Sequence, residues 1–87
     1  MPWALRIKQK AQKQIRKLSR SDRERIAAAL NQMLDNPFAG DVMRLRGIPG
    51  DFRRRVGSCR IFFTVEPAAR VLNIHAVRRR QTTTYKR

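Results

Sequence analysis

Three arginines near the middle of the chain could line one face of a β-hairpin. Arg53 and Arg55 precede the dipeptide Gly57-Ser58, and Arg60 follows it. A two-residue Gly-X loop between runs of alternating character predicts a hairpin that pairs Arg55 with Arg60. Side chains alternate between the two faces of a strand, so the three guanidinium groups share a surface. Guanidinium groups bind phosphate through two parallel hydrogen bonds, so the surface suits an anion. The solvated face of a very basic protein is the alternative.

The opposite face of this hairpin is predicted to be apolar. The other cross-strand pairs are Val56–Cys59, Arg54–Ile61 and Arg53–Phe62. Phe62 and Thr64 then join the arginine face. The apolar set consists of Phe52, Val56, Cys59, Ile61, Phe63 and Val65. We therefore expect one face of the hairpin to pack on the core and the other to form a cationic surface.

Two further residues could transfer protons beside these arginines. Cleavage of RNA by its own 2′-hydroxyl requires a base, cations for the phosphorane oxygens and an acid for the leaving oxygen. His75 carries an imidazole, a group that titrates near neutral pH, and Tyr85 carries a phenol, which loses its proton more readily in a cationic field. A structural role is the alternative for each. The single histidine and the few carboxylates show no metal-ligand spacing, so we expect neither a metal nor another cofactor.

The charge balance points to an anionic partner. The chain has 21 Lys and Arg residues against 6 Asp and Glu residues, a formal net charge of +15. So large an excess of one sign repels itself in the compact state. Nucleic acid is the first candidate partner, and an acidic protein can coexist with it. A membrane surface is not expected, because no predicted helix combines a basic face with Trp, Phe or Leu on the other face.

The length of 87 residues fits a single domain that spans residues 1–87. Cys59 is the single cysteine, so no intramolecular disulfide can form. Neither a cleavable signal segment nor a long apolar run is visible. We therefore expect a soluble, cytoplasmic protein.

The residues before the hairpin predict a strand and two helices. The alternation from Trp3 to Ile7 indicates a short strand with one buried face. Apolar residues at helical spacing predict a first helix from about Gln9 to Leu18. The pattern Ser21-Asp-Arg-Glu24 is a capping box that predicts the start of a second helix, and Asn36-Pro37 ends it. The apolar stripe of that helix consists of Ile26, Ala29, Leu30, Met33 and Leu34.

The residues around the hairpin complete the predicted sheet. Residues 38–50 read as a loop with room for a short strand around Met43–Leu45, and Arg70–Val77 reads as the last strand. Strict alternation puts Leu72, Ile74 and Ala76 on the core face, and Asn73, His75 and Val77 on the arginine face. The predicted fold class is α+β: an N-terminal strand, a helical hairpin, then a three- to four-stranded antiparallel sheet, in the order β-α-α-β-β-β.

The order of several short motifs resembles the RelE/ParE toxin superfamily. The likeness covers nearly the whole chain, and its most specific part is the succession of these motifs. They are Asn36-Pro37, Leu45-Arg-Gly47, Arg55-Val-Gly57 with Arg60-Ile61, and Tyr85 in the basic tail. The resemblance implies a RelE-like fold and a toxin of a type II toxin–antitoxin system.

The resemblance implies two possible targets. RelE-like members are ribosome-dependent nucleases that cut messenger RNA, whereas ParE-like members inhibit DNA gyrase and are not nucleases. Both kinds are held inactive by a cognate, usually acidic antitoxin, which implies a toxin–antitoxin hetero-oligomer. We expect the RelE-like activity, with messenger and ribosomal RNA on the ribosome as partners, because the hairpin arginines and Tyr85 are both present. Gyrase inhibition is the alternative, and a nucleic-acid-binding module without chemistry is a third interpretation.

The resemblance also implies site residues. By position in the motifs, the functional residues of RelE-like toxins correspond to Arg53, Arg60, Arg79 and Tyr85. His75 joins them as a catalytic candidate because of its imidazole and its predicted face. The expected nucleic-acid contacts are Arg53, Arg55, Arg60, Arg78, Arg79 and Arg80.

Overall fold

The computed structural model describes residues 2–45 and 51–79, which form five strands and two helices. In chain order they are β1 (Ala4–Ile7), α1 (Gln9–Arg16), α2 (Arg20–Asp35), β2 (Asp41–Arg44), β3 (Asp51–Val56), β4 (Cys59–Glu66) and β5 (Val71–Arg79). The strands form one sheet in the order β1-β5-β4-β3-β2. The predicted α+β class is confirmed. Within these ranges, neither helix has the length and apolar character needed to cross a membrane.

Strands β2 to β5 form the predicted antiparallel sheet with four strands, and the N-terminal strand β1 extends it to a mixed sheet of five. β1 runs parallel to β5, with Leu5 beside Leu72, and all other neighbouring strands are antiparallel. β2 (Asp41–Arg44) begins two residues before the short strand expected around Met43. Alternation along a strand predicts which faces are buried, but it does not predict the neighbouring strand. Pairing between distant segments therefore could not be read from the local pattern.

The core lies between the two helices and one face of the sheet. Ala11 comes from α1, and α2 contributes the buried residues Ile26, Ala29, Leu30 and Met33. The sheet contributes Cys59, Ile61, Phe63, Leu72, Ile74 and Val77. The predicted apolar faces of α2 and of the hairpin are confirmed. The other side of the sheet, which we call the open face, lies away from the helices.

The register of the central hairpin agrees with the prediction at every pair. Arg55 pairs with Arg60, Arg53 with Phe62, and Val56 with Cys59. Gly57 has a φ of 57°, the left-handed conformation that a two-residue hairpin turn of this kind requires at its first position. The turn residues therefore fix which arginines share a face.

The cap of α2 differs from the prediction. α2 begins at Arg20, and the Ser19 hydroxyl accepts a hydrogen bond from the backbone N–H of Asp22 at 3.2 Å. Ser21 lies inside the first turn, so the capping box proposed for it was wrong. Leu18 packs against the core, so only Ser19 remains between Leu18 and the helix to serve as the cap.

β5 contains a bulge that changes its faces. Phe62 pairs with Ala76 and Phe63 pairs with Ile74, so His75 is an extra residue opposite β4. After the bulge the alternation is reversed: Ala76 lies on the open face and Val77 is buried in the core. The prediction for these two residues was wrong, because strict alternation cannot anticipate an inserted residue.

Arg54 lies on the core side of β3 and joins it to α2. Its Nη1 donates to the carbonyl oxygen of Ala29 at 3.1 Å, and its Nη2 donates to Oε1 of Gln32. The side chain is buried, and burial lowers the pKa of its guanidinium. Gly40 leaves room for it: a Cβ there would lie 2.9 Å from Nε and Nη2 of Arg54. The backbone φ of Gly40 is also positive, at 81°.

We expect Gly40→Ala to lower the free energy of unfolding by about 1–3 kcal/mol, the range for a strained left-handed residue, with a further penalty from the contact with Arg54. Urea unfolding of the purified protein measures the change. Combining Gly40→Ala with Arg54→Met should remove the contact and leave the strain, so Gly40→Ala should be less destabilising in that background. Equal effects in both backgrounds would show that Arg54 does not crowd Gly40.

Candidate nucleic-acid interface

The cross-strand register arranges the open face in three rows. The arginine row contains Asp41, Arg55, Arg60 and Arg78. The aromatic row contains Met43, Arg53, Phe62 and Ala76. The polar row contains Asp51, Thr64, Asn73 and Arg6. Adjacent rows are about 7 Å apart along the strands, because side chains on one face recur every two residues.

The arginine row carries more positive charge than its one carboxylate can balance. Arg55 lies 3.7 Å from Asp41, measured from Nε to Oδ2, and both side chains are about half exposed. Arg60 and Arg78 have no carboxylate within ion-pair distance among the described residues, and Nε of Arg60 is buried without a hydrogen-bond partner there. Directly opposed like charges destabilise a sheet. An anion bound over this row would relieve that repulsion.

Arg53, in the aromatic row, is the most deeply buried cation of the open face. Its side chain is 7% exposed, and Nη2 donates to the sulfur of Met43 at 3.5 Å. Nη1 is buried and has no partner within residues 2–45 and 51–79. A neutral thioether compensates little of a guanidinium charge, and an uncompensated buried charge is unfavourable. The geometry of Arg53 therefore also favours a bound anion.

Phe62 offers an aromatic surface between these cations. The ring is half-buried, and the guanidinium of Arg78 lies 5.9 Å from its centroid, within the range of a cation–π contact. Aromatic rings and guanidinium planes both stack on unpaired bases. Phe62 and Arg78 could thus hold a nucleotide by its base and its phosphate.

The polar row holds side chains that are linked by hydrogen bonds. Nε2 of His75 lies 2.8 Å from the hydroxyl of Thr64, and the imidazole is exposed. Asn73 donates through Nδ2 to Glu66, whose carboxylate lies 3.9 Å from the guanidinium of Arg6. These contacts place His75 on the open face, as the sequence predicted.

The structure brings most of the predicted site residues together. Arg53, Arg55, Arg60, Arg78 and His75 all lie on the open face. Arg80 and Tyr85 lie outside the described residues. The sequence analysis missed the interior role of Arg54. The register places Arg54 opposite Ile61 on the core side, but no sequence signal predicted that α2 would provide hydrogen-bond acceptors for an arginine there.

Arg79 does not join this group. It pairs with Cys59, whose side chain is in the core, and its Nε lies 3.9 Å from Oδ2 of Asp22 on the helix side of the sheet. Without the bulge at His75, alternation would have placed Arg79 on the open face and Arg78 on the helix side. The bulge therefore determines which of the two adjacent arginines belongs to the interface.

Asp22 anchors a small ionic cluster on the helix side. Its carboxylate is buried and lies 4.0 Å from Arg25 as well as 3.9 Å from Arg79. The neighbouring thiol of Cys59 has its pKa raised, first by burial and then by the Asp22 charge, which favours the neutral form. Cys59 therefore serves as a core residue, as expected. Among the described residues, no group of three His, Cys, Asp or Glu side chains could hold a metal ion.

Comparison with known proteins identifies related sequences and folds. Residues 5–83 match the family model described as the ParE toxin of the type II toxin-antitoxin system, parDE. The archaeal RelE–RelB complex of Pyrococcus horikoshii matches with a TM-score of 0.83 at 20% identity, covering 95% of this chain and 100% of that chain. No curated protein sequence gives a significant match.

Two bacterial complexes show the same fold. The toxin–antitoxin complex RelBE2 of Mycobacterium tuberculosis has a TM-score of 0.78 at 22% identity, covering 92% of this chain and 100% of that chain. The intact E. coli RelBE complex has a TM-score of 0.77 at 25% identity, covering 91% of this chain and 98% of that chain. The predicted RelE-like fold is therefore confirmed.

The opposite placement of two adjacent arginines predicts different effects of their removal. Arg78→Ala should weaken binding of a short single-stranded RNA and reduce the slope of log K against log salt by about one unit, because one phosphate contact is lost. Arg79→Ala should leave that slope unchanged and lower the free energy of unfolding by up to about 1 kcal/mol, since its ion pair with Asp22 is largely exposed on the arginine side. Fluorescence anisotropy at several salt concentrations measures the slopes. An equal reduction of the slope in the two variants would show that both arginines contact the RNA.

Proposed function

Because the chain belongs to the ParE toxin family of type II toxin–antitoxin systems, we propose that it is a ribosome-dependent endonuclease that cuts messenger RNA. The observation that carries the proposal is the group of Arg53, Arg60 and Arg78 on the open face, whose charges have no carboxylate partner in the described residues. Three such cations beside a stacking ring suit a single-stranded RNA backbone.

The arginines would act mainly on the transition state. In cleavage by the 2′-hydroxyl, that oxygen forms a bond to phosphorus, the bond from phosphorus to the 5′-oxygen breaks, and negative charge grows on the phosphorane oxygens. Arg60 and Arg78 share a row and can donate to those oxygens from one side. Arg53, one row away, can hold the neighbouring phosphate. Guanidinium groups supply the positive charge, so the proposal includes neither a metal nor a cofactor.

Proton transfer completes the proposed reaction. The 2′-hydroxyl must lose a proton and the leaving 5′-oxygen must gain one. His75 is available on the open face, and the resemblance to RelE-like toxins assigns a role to Tyr85. The same resemblance points to Arg79, but the position beside Arg60 is occupied by Arg78. We therefore assign Arg78 the open-face role and Arg79 a structural role with Asp22.

Inhibition of DNA gyrase is the alternative, and the description of the matched family, the ParE toxin, favours it. A gyrase inhibitor needs an interaction surface but no proton-transfer group. An exposed imidazole on the same face as arginines that have no carboxylate partner among the described residues is more useful to a nuclease. This juxtaposition supports the nuclease over the inhibitor.

A cognate acidic antitoxin is the proposed protein partner. Several relatives with this fold were crystallised as complexes of RelE with RelB. The net charge of +15 suits a partner that carries carboxylates. So do Arg53, Arg60 and Arg78, which have no carboxylate partner in the part of the chain that the structure describes. An antitoxin that covers the arginine row would also exclude RNA from it. On the ribosome, the same excess charge would contact ribosomal RNA.

The activity can be tested in a translating extract by mapping the 5′ ends of the message after adding purified protein. We expect codon-phased cuts with the wild type. Arg60→Ala should lower the single-turnover cleavage rate by about a hundredfold or more, with little change in ribosome binding, because the lost interaction forms chiefly in the transition state. Tyr85→Phe should lower the rate in the same way if the phenol transfers a proton.

Arg20→Ala is the matched control, because Arg20 is an exposed cation on α2 whose partner is Glu24. It should change neither cleavage nor binding. Intact message together with blocked supercoiling by gyrase would contradict the nuclease proposal and favour the alternative. Wild-type rates in well-folded Arg60→Ala would exclude the proposed role of the arginine row.

A further inference from the structure

We infer that His75 is the base that removes the proton from the attacking 2′-hydroxyl, acting through Nδ1, and that Thr64 is the positioning residue that orients its ring. The inference rests on the proposed nuclease function and specifies one of its steps. It follows from the bulge in β5, from the hydrogen bond between the two side chains and from the surrounding charges.

The bulge gives His75 a position that regular pairing would not provide. As the extra residue between Ile74 and Ala76, it has no direct partner on β4. Its side chain lies on the open face between the aromatic row and the polar row, where it reaches Thr64. Along β5 it is three residues from Arg78, about 10 Å of extended chain. Bulges often redirect a side chain next to an active site.

The hydrogen bond to Thr64 distinguishes the two ring nitrogens. Nε2 lies 2.8 Å from Oγ1 of Thr64, so this nitrogen is already engaged. When the Thr64 hydroxyl accepts from the N–H at Nε2, Nδ1 carries the free lone pair and can take a proton. After the transfer, the imidazolium still donates from Nε2 to Thr64. The same hydrogen bond to Thr64 can therefore form before and after the ring takes up the proton.

Charged side chains on four strands surround His75 on the open face. By the register, the charged side chains of the open face around His75 are Arg6 on β1, Asp51 and Arg53 on β3, Glu66 on β4 and Arg78 on β5. Glu66 already contacts Asn73 and Arg6, so its carboxylate is engaged elsewhere. The arginines keep their protons and cannot serve as bases. Asp51 lies two strands away from β5. Among the described residues of this face, the imidazole of His75 keeps one ring nitrogen, Nδ1, for a proton from the substrate.

In the proposed step, Nδ1 takes the proton of the 2′-hydroxyl while the 2′-oxygen forms its bond to phosphorus. The bond from phosphorus to the 5′-oxygen breaks, and that oxygen takes a proton from a water molecule, which leaves a hydroxide ion that is neutralised when His75 releases its proton. The products are a 2′,3′-cyclic phosphate and a 5′-hydroxyl end. No electrons are transferred to or from another molecule, and His75 returns its proton to solvent before the next cycle.

Single-turnover cleavage of ribosome-bound message tests the inference. His75→Ala should lower the rate a hundredfold or more and abolish its rise with pH across the range in which imidazoles deprotonate. Added imidazole should restore part of the activity of His75→Ala but none of Arg60→Ala, which is the matched control. Thr64→Val should lower the rate about tenfold, the order expected for loss of one hydrogen bond to a charged group, and Thr64→Ser should restore it.

The outcomes separate this inference from the function on which it rests. If the wild type cuts no message, the nuclease proposal itself fails. If the wild type cuts and His75→Ala retains its rate and pH dependence, only the role of His75 is overturned, and Tyr85 becomes the base. If Thr64→Val and Thr64→Ser both cleave like the wild type, Thr64 does not position the ring. Thermal melting and RNA binding of each variant confirm that the fold and the interface are intact.

Discussion

The guanidinium groups of Arg53, Arg60 and Arg78, which have no carboxylate partner within residues 2–45 and 51–79, impose the main constraint on this structure. The chain has only six acidic residues. Four of them form ion pairs within the described residues, and none of these pairs includes Arg53, Arg60 or Arg78. Asp41 balances Arg55 at one end of the arginine row, and Asp22 binds two cations on the helix side. The middle of the open face stays positive, at a cost to the stability of the free protein. An anionic ligand would remove that cost, so folding and binding are linked through the same side chains.

One inserted residue in β5 connects the fold to the site. The bulge at His75 places Arg78 on the open face beside Arg60 and directs Arg79 to Asp22 on the helix side. It also presents the imidazole to Thr64. In a regular strand, Arg79 would lie on the open face and Arg78 on the helix side. Val77 would then replace Ala76 on the open face. The bulge at His75, more than the number of arginines in the chain, therefore determines which residues of β5 belong to the interface.

The sequence predicted those features that depend on neighbouring residues. The hairpin register followed from Gly57-Ser58, and the core faces of α2 and β4 followed from their apolar periods. It did not predict the parallel pairing of β1 with β5, the bulge at His75 or the enclosure of Arg54 beneath α2, because each depends on contacts between distant segments. For the same reason the sequence predicted a basic open face but did not indicate which of the adjacent arginines Arg78 and Arg79 lies on it. The roles of Arg80 and Tyr85 stay predictions from the resemblance.

The central claim is that the open face, and not the helix side, holds the phosphates of RNA. Nuclear magnetic resonance of the arginine side chains tests it most directly, because each Nε–Hε group reports on its own surroundings. Isotope-labelled protein would be titrated with a short single-stranded RNA whose 2′-hydroxyls are methylated and cannot attack. We expect the signals of Arg53, Arg60 and Arg78 to shift on binding, and those of Arg25 and Arg79 to stay unchanged. Shifts confined to Arg25, Arg79 and other helix-side cations would contradict it.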